Sequence, residues 1–278
     1  MVLSTFPHGV RPLNPWQWLL GFGLGFIIAA LAHAAGALSR SGMFAAILVG
    51  GITFGAGGLI PGVLLILFFV SSSVLSRLGR RRKHALHAKF AKGGRRDLGQ
   101  VFANGLIAAG MALLFGIWEN ELWLVGLAGA LAASNADTWS TELGILSRSK
   151  PRLITTWTEV EPGTSGGVTA LGTAAAAAGA AIVAIAGGVM GEDIWLAISA
   201  TCGGVVGAIV DSLLGASVQA IYYCPACESE TERHPLHRCG TRTQSMRGWR
   251  WLNNDGVNFT ASLSGALVAM GIWFLGTG

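Results

Sequence analysis

Apolar runs of membrane-crossing length dominate the chain, near 16–38, 42–57, 60–76, 100–118, 121–138, 167–190, 194–221 and 256–276. A bilayer asks for about 20 apolar residues per helix, and in lipid only helices or closed barrels satisfy their own backbone. The pattern predicts an all-α, polytopic helical membrane protein of about eight transmembrane helices, with seven or nine compatible with the shorter runs. Gly57, Gly58 and Pro61 divide 42–76 into a tight hairpin of two spans. The first run exceeds the core of a signal peptide and has no basic segment ahead of it, so it reads as a retained span. Residues 1–278 fit a single transmembrane domain with two polar insertions, a basic segment at 77–99 and a loop at 222–255.

Composition strengthens this picture. Charged residues make up 12% of the chain, against about 25% in soluble domains. The 41 glycines let membrane helices approach closely. Charge then orients the spans. Residues 77–96 hold nine of the 19 Lys and Arg. Arg148, Lys150 and Arg152 follow, then Arg233, Arg238, Arg242, Arg247 and Arg250. With eight spans these fall on one side together with Arg40, whereas the opposite loops carry Glu119, Glu121, Glu192 and Asp193. The positive-inside rule makes the basic side cytoplasmic. The expectation is a prokaryotic plasma membrane, both termini outside and a site facing the cytoplasm.

Costly acids gather on that same side. Asp137, Glu142, Asp211 and Asp255 each border an apolar run, where a carboxylate needs a partner or a task. Asn135, Asp137, Thr138 and Glu142 offer hard oxygen ligands of the type Mg²⁺ takes; a polar helix end is the plain alternative. Glu161, Gly163, Thr164, Ser165, Gly166 and Gly167 open a span, either as a phosphate cradle at a helix N-terminus or as a simple capped loop. Asp97, Gln100 and Asn104 share a helical face behind Arg96. The basic segment, including Lys83, is either a headgroup-touching topology signal or, at its C-terminal end, a phosphate site. Asp255 either caps the last span or joins the acids, and Asn258 lies one turn further in.

A separate signal lies in 222–255. Cys224 and Cys227 form a CxxC, followed by His237 and Cys239. That set fits tetrahedral Zn²⁺ of the Cys₃His type, with a partial or redox-active site as the alternative. Cys202 sits within a span and reads as packing.

The segments RDLGQVFANG, NADTWSTELG, VEPGTSGGVT, VDSLLGASVQ and NNDGVN occur in this order. Together they resemble an integral-membrane family that includes plant phytyl-phosphate kinase, over roughly residues 35–278. The resemblance implies transfer of a phosphoryl group from a nucleoside triphosphate, CTP or ATP, to an isoprenyl monophosphate. A cytidylyltransferase acting on a lipid phosphate is the related alternative. On this basis Asp137, Glu142 and Asp211 are the catalytic candidates, with Asp137 and Asp211 holding Mg²⁺. Lys83, Arg96 and the 161–167 loop bind phosphates, while Asp97, Gln100, Asn104, Asn135, Thr138, Asp255 and Asn258 complete the shell. No nucleic-acid partner is expected. An ion-coupled transporter would use the same acids but carry polar residues near the bilayer midplane.

Overall fold

The computed structural model describes residues 14–77 and 95–278. Lys83 and most of the basic segment lie outside the described residues. Among the described residues eight helices form the body: α1 (Pro15–Ala34), α2 (Arg40–Gly57), α3 (Leu59–Arg77), α4 (Leu98–Trp118), α5 (Glu121–Gly144), α6 (Ala170–Met190), α7 (Ile194–Ser217) and α8 (Asn254–Thr277). Side-chain oxygens cap several starts, from Asn14, Ser39, Asp97, Asn120, Thr169, Asp193 and Asn253. Such caps satisfy amides that a helix leaves without partners. Asp97 and Gln100 form a reciprocal capping box. Asp255 lies in the first turn of α8, and Asn253 is its cap.

Seven of these helices are long and apolar enough to cross a membrane. The exception, α5, is the most enclosed: residues 124–136 are buried without interruption. It packs against α3, α4, α6, α7 and α8. Those neighbours screen α5 from lipid, so its polar end adjoins protein rather than hydrocarbon. The α7–α8 crossing depends on glycine, since a Cβ on Gly203 would collide with the Gly265 carbonyl. A smaller apolar cluster of Ala29, Ala32 and Leu38 joins α1 to the rest.

Two small sheets interrupt the helical plan. β1 (Arg152–Leu153) pairs antiparallel with β2 (Gly167–Val168), setting Leu153 opposite Gly167. Strands β3 (Ile221–Cys224), β4 (Ser229–Thr231) and β5 (Gln244–Arg247) form a second sheet in the order β4-β3-β5. The sheets correct two span limits. β2 occupies the expected start of the 167–190 span, so α6 begins at Ala170. The 194–221 run leaves the helix at Ser217, and Ile221 already belongs to β3. Both sheets lie at the bundle end where α5 and α7 finish and α4, α6 and α8 start.

Candidate functional site

A cavity of about 820 Å³ is sunk into that end of the bundle. Its floor comes from α5 and α7. Where the buried run of α5 ends, Asp137, Thr138 and Glu142 emerge on the cavity wall. Asp211 and Ser212 reach it from α7. The Asp137 and Asp211 side chains lie within hydrogen-bonding reach of each other, with Glu142 and Glu232 close enough to act on Asp137 electrostatically. With its nitrogen facing the acceptors, the Asn258 amide donates to Asp211 Oδ2 at 3.0 Å and to the Asn254 carbonyl at 3.3 Å.

A cationic wall faces these acids. Arg77, Arg95 and Arg96 line it. Arg96 is fixed by its backbone, which donates to Ala37 O at 2.9 Å and accepts from Ser39 N–H at 3.0 Å. Its guanidinium donates to Ser73 Oγ at 3.0 Å and stacks over Phe69, 5.4 Å from the ring centre. Burial lowers the Arg96 guanidinium to about 10, opposed by the charge of Glu142. At neutral pH it stays protonated. Gln100 and Asn104 continue the wall along α4, where Asn104 Nδ2 donates to the Gln100 carbonyl at 2.9 Å.

The third side is the loop before β2. Gly163, Thr164, Ser165, Gly166 and Gly167 all line the cavity. Gly163 and Gly166 adopt φ of 83° and 82°, the left-handed region in which a side chain is strained. A Cβ on Gly166 would also collide with the backbone of Ala216. The Thr164 amide donates to Glu161 O at 3.1 Å and that of Gly167 to Thr164 O at 3.0 Å. Those two amides hold the loop's own turn, which removes them from the expected phosphate cradle. The Ser165 hydroxyl donates to Gln219 Oε1 at 2.7 Å, and Gln219 Nε2 donates to Glu232 Oε1 at 2.9 Å. Thr169 and Gly172, at the start of α6, border the same space.

Four expected residues are elsewhere. Asn135 is fully buried: its oxygen accepts from Ser71 at 2.9 Å and Ser72 at 3.1 Å, and its nitrogen donates to Gly179 O at 2.7 Å. It ties α3, α5 and α6 together and does not face the cavity. Asp97 turns inward to cap α4, accepting from the Gln100 amide at 3.0 Å. Glu161 and Asp255 are not part of the cavity wall. Sequence reasoning missed Glu232 entirely, along with Arg77, Arg95, Ser73 and Ser212 as wall residues. Only Arg77 and Arg95 carried a signal, as members of the basic run. The Cys224, Cys227, His237 and Cys239 set does converge, in the β3–β5 loop away from the cavity wall.

An enclosed helix with a polar end inside a shell of apolar ones, with acids and arginines meeting in a cavity at that end, defines a polytopic integral-membrane protein with a polar site at one face. The chain belongs to the integral membrane family DUF92, whose model matches residues 23–266. It is 31% identical over 263 residues to Protein PGR of Arabidopsis thaliana, covering 85% of this chain and 89% of that one. An uncharacterized membrane protein, MJ0933 of Methanocaldococcus jannaschii, is 37% identical over 190 residues, covering 68% and 78%. Protein VTE6, chloroplastic, of Arabidopsis thaliana is 27% identical over 242 residues, covering 84% and 64%. No solved structure matches.

Proposed function

We propose that this protein is a membrane-embedded kinase that transfers a phosphoryl group from a nucleoside triphosphate to an isoprenyl, phytyl-like monophosphate. The observation that carries the reading is the pair Asp137 and Asp211, brought together from two helices and faced by Arg96 across one cavity. Membership of the family that includes plant phytyl-phosphate kinase supports it.

Phosphoryl transfer between two phosphates needs positioning and charge neutralisation more than covalent catalysis. An acceptor phosphate oxygen attacks the γ-phosphorus, the bond to the β-phosphate oxygen breaks, and nucleoside diphosphate leaves. The acceptor is already ionised, so no strong general base is required. Arg96, with Arg77 and Arg95, would hold the anionic groups, and Gln100 and Asn104 would orient them. Converging carboxylates with oxygen donors only suit Mg²⁺, which Asp137 and Asp211 would hold and which neutralises phosphate oxygens when bound. Asn258 would keep Asp211 turned toward the pair. The prenyl tail would lie among the small-residue helices. Since the wall that binds the charged groups also carries the basic side chains, it would face the cytoplasm, with both termini outside.

The test is incubation of purified protein with Mg²⁺, labelled ATP or CTP, and prenyl monophosphates from geranyl to long polyprenyl. Prenyl diphosphate is the expected product. A nucleotidyl-lipid instead would make the protein a cytidylyltransferase, and no product with any acceptor would sink the transferase reading. Ion-coupled transport is less suited to this chain, because the cavity acids gather at one end of the bundle rather than at mid-span.

A further inference from the structure

The loop between α7 and α8 contains chemistry for which phosphoryl transfer has no use. β3 ends at Cys224, a turn brings in Cys227, and the chain returns past β4 to His237 and Cys239. One ligand atom from each of these four residues lies within 4.8 Å of all the others. The Cys224 and Cys239 sulfurs are 3.6 Å apart, and His237 Nδ1 is 3.2 Å from Cys239 Sγ. With Zn–S bonds of about 2.3 Å, a tetrahedral site has sulfur–sulfur edges of about 3.8 Å. The four atoms therefore already mark out a polyhedron of the right size. All the cysteines are free thiols, and three sulfurs beside one imidazole cannot all be used up in disulfides. The Thr241 hydroxyl, 3.3 Å from Cys239 Sγ, supplies an outer contact. Four protein ligands leave no open coordination position, the mark of a structural rather than a catalytic metal.

Glu232 gives the site a consequence. It lies midway in sequence between Cys227 and His237, immediately after β4, and it is the residue by which this loop reaches the cavity wall. The segment bearing it is bounded by the two halves of the ligand set. We propose that Cys224, Cys227, His237 and Cys239 hold one structural Zn²⁺, and that this ion fixes the loop that presents Glu232 to the cavity. Metal binding energy then becomes folding energy of the loop.

The experiment uses the full chain purified in detergent, with elemental analysis for zinc and iron. About one zinc per chain is expected, retained in Cys202→Ser and lost in the double variant Cys224→Ser/Cys239→Ser. Stripping the metal with a strong chelator should speed amide exchange in 221–247 by about tenfold or more while α5 and α7 are unchanged. Four results would overturn the proposal. They are negligible zinc after reconstitution with zinc salts, iron in its place, equal zinc in the double variant, or a disulfide among Cys224, Cys227 and Cys239 in protein purified from a reducing cytosol. Zinc that can be removed without any change in exchange would overturn the role assigned to it in the loop. None of these readouts depends on phosphoryl transfer, so they separate from the kinase assay.

Discussion

Asn135 and Asp137 stand two positions apart on α5, which places them about 200° apart around the helix axis. One of them has to face the neighbouring helices when the other faces the cavity. Asn135 takes the first role and Asp137 the second. The short motif that contains them therefore mixes two kinds of residue, and residue type alone does not separate them; helical phase does. Opposite phenotypes follow. Asp137→Asn keeps the fold, and prenyl diphosphate formation should drop by about a hundredfold or more, as expected when a group acting on the transferring phosphate is lost. Asn135→Ala should leave the turnover of folded protein nearly unchanged but cost about 1–2 kcal/mol, seen as earlier thermal unfolding in detergent, because Ser71, Ser72 and Gly179 lose their partner. Arg96 is a third case. Arg96→Ala should raise KM for the prenyl monophosphate by about tenfold or more. Arg96→Lys should rescue only part of that loss, since an ammonium cannot both reach Ser73 and stack on Phe69 as the guanidinium does. A KM that stays at the wild-type value in Arg96→Ala would take Arg96 out of phosphate binding.

At the level of elements, the spans were legible because lipid forces long apolar stretches into helices, and because Asn, Ser, Thr and Asp mark where those helices start. The sheets were not. Strands of two to four residues leave no alternating pattern, and Glu232 reaches the cavity only through the return path of the loop that bears it. Arg247 exposes what such loops do. From β5 it donates to the Gly215 and Ala216 carbonyls at 2.9 and 3.0 Å and to Ser165 O at 3.4 Å. A cation at the C-terminus of α7 satisfies carbonyls that the helix leaves open and opposes its dipole. One side chain thus joins the β3–β5 sheet, the end of α7 beyond Asp211, and the loop before β2. Arg247→Ala should loosen all three together. Amide exchange should rise across 162–168 and 214–220 but not in α5; a rise confined to β5 would mean that Arg247 holds only its own strand.

For the whole molecule, charge and cavity are aligned. Among the described residues every Lys and Arg lies at the cavity end of the bundle, from Arg40 and Arg77 to Arg152 and Arg250. The far end carries Glu119, Glu121, Glu192 and Asp193. By the positive-inside rule that asymmetry predicts an orientation in which the cavity opens to the cytoplasm. The proposed chemistry demands the same orientation independently, because nucleoside triphosphates are held in the cytosol. Alkaline phosphatase fused at Gly278 should be active in a bacterial host, and a fusion truncated at Ser149 should not; green fluorescent protein at the same two points should give the reverse signals. Orientation is thus constrained from two unrelated sides, by how cationic loops cross a membrane and by where the phosphoryl donor is found. If the fusions put Ser149 outside, the cavity loses its nucleotide supply, and the kinase reading falls even though the carboxylate pair and the arginine wall remain as described.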